Sequence, residues 1–216
     1  SDNAETLTQV QTPFYSSTGR VNFFENETSK HLYYNVQGGF VHRNLADNSE
    51  TPHNIVPLNI VSNSGGTAYL SDSKKEGRVY SFEGGFMGAT LSVSDDFGSN
   101  FKSILATFSA GLTNVIPDPQ VTNQVLTTFS NWGQGELNKI NFNDENNIVV
   151  TNIPLPTQNP VFKLLHPNNI SNEFFILIGS EVYLTNDGGE TWTPVTIGNE
   201  ITPETSIFDI TQDLNN

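Results

Sequence analysis

The chain contains no cysteine, which removes disulfides, thiolate metal sites and cysteine nucleophiles together. Methionine occurs once. No run of about 18 apolar residues exists, so no membrane span is expected. Basic residues are scarce: 9 Lys and Arg stand against 23 Asp and Glu, a net charge of −14. A field of that sign repels phosphate backbones and argues against nucleic acid as a partner. The acidic residues are scattered rather than gathered in one run, which fits a solvated surface. There is no phosphate-binding loop and no nucleophile elbow. The histidines (His31, His42, His53 and His166) show no metal-ligand spacing, so neither a metal nor a cofactor is expected.

Present in quantity are 15 Phe, 17 Gly and 11 Pro in 216 residues. Frequent turns and few helix formers point to an all-β protein, and one domain of this length can bury a large core. Two segments share an unusual pattern. Ser94-Asp95-Asp96-Phe97-Gly98-Ser99-Asn100-Phe101 and Thr185-Asn186-Asp187-Gly188-Gly189-Glu190-Thr191-Trp192 both read hydroxyl, any, Asp, any, Gly, any, any, aromatic, and start 91 residues apart. A short Asp side chain accepts hydrogen bonds from nearby backbone N–H groups and closes a tight turn. Gly98 and Gly189 supply a backbone geometry that other residues resist. Phe101 and Trp192 then cover the turn. Each segment therefore marks a hairpin tip.

This pattern resembles the Asp-box, and the chain is similar to the Asp-box (BNR, sialidase-type, sortilin-like) β-propellers. Phe101 replaces the Trp usual in that family. The resemblance implies a β-propeller of four-stranded antiparallel blades, and it implies little about activity, because enzymes and non-enzymes share the box. Further signs of a repeat follow. Pro117-Asp118-Pro119 leads into a strand from Gln124, and His166-Pro167-Asn168-Asn169 leads into one from Phe174. Pro119 and Pro167 lie 48 residues apart, within the 40–50-residue range of propeller blades. Asp47 and Asp144 fall where the period places eroded tips. Four blades are expected, near 21–57, 58–112, 113–158 and 159–200. Residues 201–216 either start a further blade or close a ring with 1–20, and the count fits a piece of a larger propeller.

In the family, box tips sit on the outer rim away from the pocket face, so Ser94, Asp96, Gly98, Phe101, Thr185, Asp187, Gly189 and Trp192 are read as structural, with no catalytic residue assigned. Ligand-binding candidates come from the loops between the second and third strands of each blade. One is Asn131 to Glu136, where Trp132 could stack on a sugar and Gln134 bond its hydroxyls. The other is a long segment, Asp72 to Gly88, carrying Lys74, Lys75 and Arg78. The family's sialidases use three arginines from separate blades and an Arg-Ile-Pro motif. This chain has only Arg20, Arg43 and Arg78 and no such motif, so that branch does not fit. The expectation is an exported, non-enzymatic binding or assembly module with a protein or glycan partner. Its rival is a fragment of an endoglucanase-type glycoside hydrolase.

Overall fold

A computed structural model describes residues 21–36, 39–54, 68–85, 88–107, 111–131, 133–144, 146–167, 170–196 and 210. They form sixteen strands and, among the described residues, no helix. Each run of four consecutive strands makes one antiparallel sheet in sequential order. The first contains β1 (Val21–Glu25), β2 (Lys30–Val36), β3 (Gly39–Asn44) and β4 (Glu50–Asn54). The second contains β5 (Ala68–Ser71), β6 (Val79–Gly85), β7 (Gly88–Ser94) and β8 (Lys102–Thr107). The third contains β9 (Gly111–Pro117), β10 (Gln124–Asn131), β11 (Gln134–Asn141) and β12 (Val149–Ile153). The fourth contains β13 (Val161–Leu165), β14 (Phe174–Ile178), β15 (Glu181–Thr185) and β16 (Thr193–Pro194). The all-β expectation of four-stranded antiparallel blades therefore holds. Residues 58–67, the expected opening of the second blade, lie outside the described residues.

The chain divides into two compact units, Ser1–Asn59 and Ile60–Asn216. In the first, one face of the sheet carries a column of rings. His42 stacks on Tyr33 at 5.1 Å and 22°, and Phe40 stacks on His53 at 4.8 Å and 18°. His42 Nε2 and His31 Nδ1 lie 3.0 Å apart, within hydrogen-bond distance. Burial, and then the neighbouring His31 and His53, lower the His42 pKa to about 4, so it is neutral at neutral pH. On the other face Arg43 and the Tyr34 hydroxyl both donate to Glu50 Oε1, at 3.1 and 2.9 Å.

In the second unit the second, third and fourth sheets pack face to face in sequence order, with β9 against β6 and β13 against β9. This explains why β10 shows no clean alternation. Val125 and Phe129 point into a cluster shared with Tyr80, Leu91 and Ile104 of the second sheet. Leu126 points the other way, into a cluster with Leu164, Phe174 and Ile176 of the fourth. A strand covered on both faces reads as an almost continuous apolar run. At about 25 cal/mol per Å² of apolar surface removed from water, these two seams are the main cohesive term of the unit.

Candidate functional site

The two hydroxyl-x-Asp-x-Gly tips are the same device, bond for bond. Ser94 Oγ donates to Asp96 Oδ1 at 2.6 Å and accepts from the Gly98 N–H at 2.9 Å. Thr185 Oγ1 donates to Asp187 Oδ1 at 2.8 Å and accepts from the Gly189 N–H at 2.8 Å. Asp96 Oδ1 accepts the Asn100 N–H, and Asp187 Oδ1 accepts the Thr191 N–H, both at 2.9 Å. The second carboxylate oxygen of each takes the side chain of the same residue, Asn100 Nδ2 at 2.6 Å or Thr191 Oγ1 at 2.5 Å. Hydrogen bonds to the charged form favour it. Those from Ser94 and then Asn100 hold Asp96 at a pKa of about 2, and those from Thr191 and then Thr185 do the same for Asp187.

Each tip needs two successive residues in the left-handed region. Gly188 and Gly189 meet this with φ of +78° and +95°, whereas the first tip uses Phe97 at +60° before Gly98 at +92°. A non-glycine residue there costs about 1–2 kcal/mol. The Phe97 N–H donates to the Gly77 carbonyl at 2.8 Å. Its ring lies 3.3 Å from where a Cβ on Gly77 would stand.

The aromatic positions diverge. Trp192 enters the seam between the third and fourth sheets, with its ring edge-on to Phe174 at 5.6 Å and its Nε1–H donating to the Pro154 carbonyl at 2.8 Å. The fit is close: a Cβ on Gly189 would stand 2.2 Å from Ile153 Cγ2. The third sheet's own tip breaks the rule. Partners Val93 and Lys102, like Leu184 and Thr193, are nine residues apart, whereas here Asn141 and Val149 are eight apart and Ile140 and Val150 ten. This eroded tip keeps one bond of the device: the Asn143 N–H donates to Asn141 Oδ1 at 3.1 Å, as the Asp96 and Asp187 N–H groups donate to Ser94 Oγ and Thr185 Oγ1 at 3.3 Å. It turns Ile148, not an aromatic, toward the second-sheet seam.

A groove of about 390 Å³ lies at that seam. Its apolar lining is Val93, Phe101, Ile104, Phe142 and Ile148. Its polar lining includes Asp96, Asn100, Lys102, Asn123 and Asn143. Arg78 and Asp95 also face it. Arg78 donates through Nε and Nη2 to Asp95 at 2.6 and 3.0 Å, and through Nη2 to Asn123 Oδ1 at 2.6 Å. Its guanidinium lies 5.5 Å from the Phe142 ring centroid. Burial works against the Arg78 charge, but Asp95 outweighs it and the pKa stays above the usual value. Hydrogen bonds from Arg78 first, and then from Lys75, lower the pKa of Asp95.

The nominated binding residues fall in two places. Lys74, Lys75 and Arg78 are in the β5–β6 loop, on the same side as the box tips. The segment Asp72 to Gly88 is not one long loop between second and third strands: residues 79–85 are β6, a core strand, and the connection to β7 is two residues long. Val79, Tyr80 and Phe82 are all buried. The segment instead follows β5, the first strand of its sheet. Gln134 starts β11 opposite Asn131 and is exposed. Trp132 lies outside the described residues. All four connections between second and third strands are two residues long (37–38, 86–87, 132–133 and 179–180). Asn123, Phe142, Asn143 and Ile148 were missed, because only the pairing of separate blades brings them to the groove. Among the described residues no group of three His, Asp or Glu is arranged to hold a metal ion, and no helix is long and apolar enough to cross a membrane.

No family model matches the chain, and no curated protein does. Solved structures match its fold. The extracellular domain of a hybrid two-component system from B. thetaiotaomicron aligns with 90% of this chain at 12% identity and a TM-score of 0.57. An ancestral GH74 enzyme aligns with 91% at 14% identity and 0.55. A nidogen/laminin complex contributes a chain aligned with 76% at 9% identity and 0.51. The alignments span 24%, 26% and 57% of those chains respectively. These neighbours are propeller proteins, and the four sheets are β-propeller blades.

Proposed function

We propose that this chain is an exported, non-enzymatic binding module of the Asp-box propeller kind, which takes a protein or glycan partner. The observation that carries the reading is the state of the two carboxylates facing the groove. A glycosidase needs one carboxylic acid with a raised pKa to protonate the leaving group. Asp95 and Asp96 are both shifted the other way, by Arg78 and by Ser94. They serve as fixed acceptors rather than proton donors. An apolar lining edged by amides suits recognition, which combines buried apolar contact with a few placed polar groups. Export is supported by one fold neighbour being an extracellular domain.

The rival reading, an endoglucanase-type hydrolase fragment, draws on the fold likeness to the ancestral GH74 enzyme. It requires an acid and base pair elsewhere in the chain. Incubating the 216-residue chain with soluble β-1,4-glucans and assaying reducing ends separates the two. The binding reading expects no release above the buffer blank. Release that saturates with substrate overturns it.

A further inference from the structure

We infer that the groove between the second and third sheets receives an aromatic side chain, an indole or a phenol, from a cationic segment of a partner protein. The inference rests on the binding-module reading and names its partner. The molecule itself displays what such a seam accepts. At the next seam along, Trp192 inserts its ring against Phe174 and donates its one N–H to the Pro154 carbonyl. At the groove, the tip that would supply the equivalent ring pairs in a different register and sends Ile148 instead. Ile148, Ile104, Val93 and Phe101 offer apolar contact, while Asp96 and Asn143 form a polar edge.

Trp and Tyr suit a site with one apolar end and one wet end, and they dominate the energetics of protein interfaces. The partner's charge follows from the chain's own. A net charge of −14 attracts a cationic segment over long range. At the groove, the buried cation Arg78 is already neutralised by Asp95, which removes one source of repulsion. A neutral glycan would use the amides equally well but has no need of this charge.

The test uses the full chain, ¹⁵N-labelled, with acetyl-Lys-Trp-Lys-amide, the matching Lys-Ala-Lys peptide and cellobiose as probes. The Trp peptide should shift the side-chain amides of Asn100, Asn123 and Asn143, with the Ala peptide about tenfold weaker or worse. Ile148→Trp should occupy the groove from within and reduce binding about tenfold or more, without lowering the melting temperature. Should that variant not fold, Asn143→Arg on the exposed rim decides: it should weaken the cationic probe about threefold. Equal binding of the Trp and Ala peptides overturns the inference. So do amide shifts with cellobiose and none with peptide, an outcome that leaves the binding-module reading standing. Only glucan hydrolysis removes that reading itself.

Discussion

The seams on either side of the third sheet are built from the same parts and end differently. Both are apolar clusters edged by a polar tie. In one, Arg78 reaches Asn123 at 2.6 Å; in the other, the Ser171 hydroxyl reaches Asp118 Oδ1 at 2.5 Å. Burial opposes ionisation of Asp118, but Ser171, the Gln120 and Val121 N–H groups and Gln124 outweigh it and lower its pKa. The difference is one side chain at each tip. Trp192 closes its seam, whereas Ile148 leaves a groove of about 390 Å³ beside it. A surface that can accept a ligand thus arises from a smaller residue in a repeated structural position, with no added loop.

The largest test of this comparison makes the closed seam resemble the open one. Trp192→Ile should cost about 2–4 kcal/mol, through lost contact with Phe174 and Ile153 and the loss of the bond to Pro154. Urea unfolding should show a lower midpoint with an unchanged slope. Cutting the polar tie of the open seam comes next. Arg78→Leu leaves Asn123 without its donor and Asp95 with Lys75 alone, for a loss of about 2–3 kcal/mol by the same measurement.

Acid titration then separates the two units. His42 has a pKa of about 4 when folded, against the ordinary 6.5 of a free imidazole. The unfolded chain therefore binds the proton first, and the stabilisation from neutral His42 is complete above about 6.5 and is lost as pH falls toward 4. Asp96 and Asp187 are held near 2 against 3.8, so their contribution is present above 3.8 and disappears only as pH falls from there toward 2. Amide exchange should therefore accelerate in β2 and β3 at milder acidity than in the two box tips. Protection lost in the reverse order contradicts the assignment. The smallest expected effect is that of Phe97→Gly. Relief of the left-handed conformation and loss of the ring's contact beside Gly77 oppose each other, leaving a net change within about 1 kcal/mol by thermal melting.

The sequence was most legible where local chemistry is self-contained. Hydroxyl, Asp and Gly at fixed offsets close the tips without help, and both tips have the bonds their spacing implies. The β9–β10 and β13–β14 turns could also be read, since Pro117-Asp118-Pro119 and His166-Pro167 stop one strand before the next begins. The second blade was read out of phase for a physical reason. Val79 to Phe82 is buried on both faces and lacks the alternation that marks a half-exposed strand, while Lys74, Lys75 and Arg78 gave the segment the look of a solvated loop. The groove was not legible. Its residues come from separate blades, and Arg78 and Asn123, 45 positions apart, carry no signature of each other. Phe97 was equally hidden, because only the φ of the folded turn marks it as the glycine-like position.

The two-residue turns opposite the box tips have a practical consequence. A Cβ on Gly133 would meet no atom within 4 Å, so foreign sequence grafted directly after residue 133 starts in open space. It would leave the Trp192 seam and the Arg78 tie untouched. Such a position is where an epitope or an affinity tag can be displayed on this scaffold.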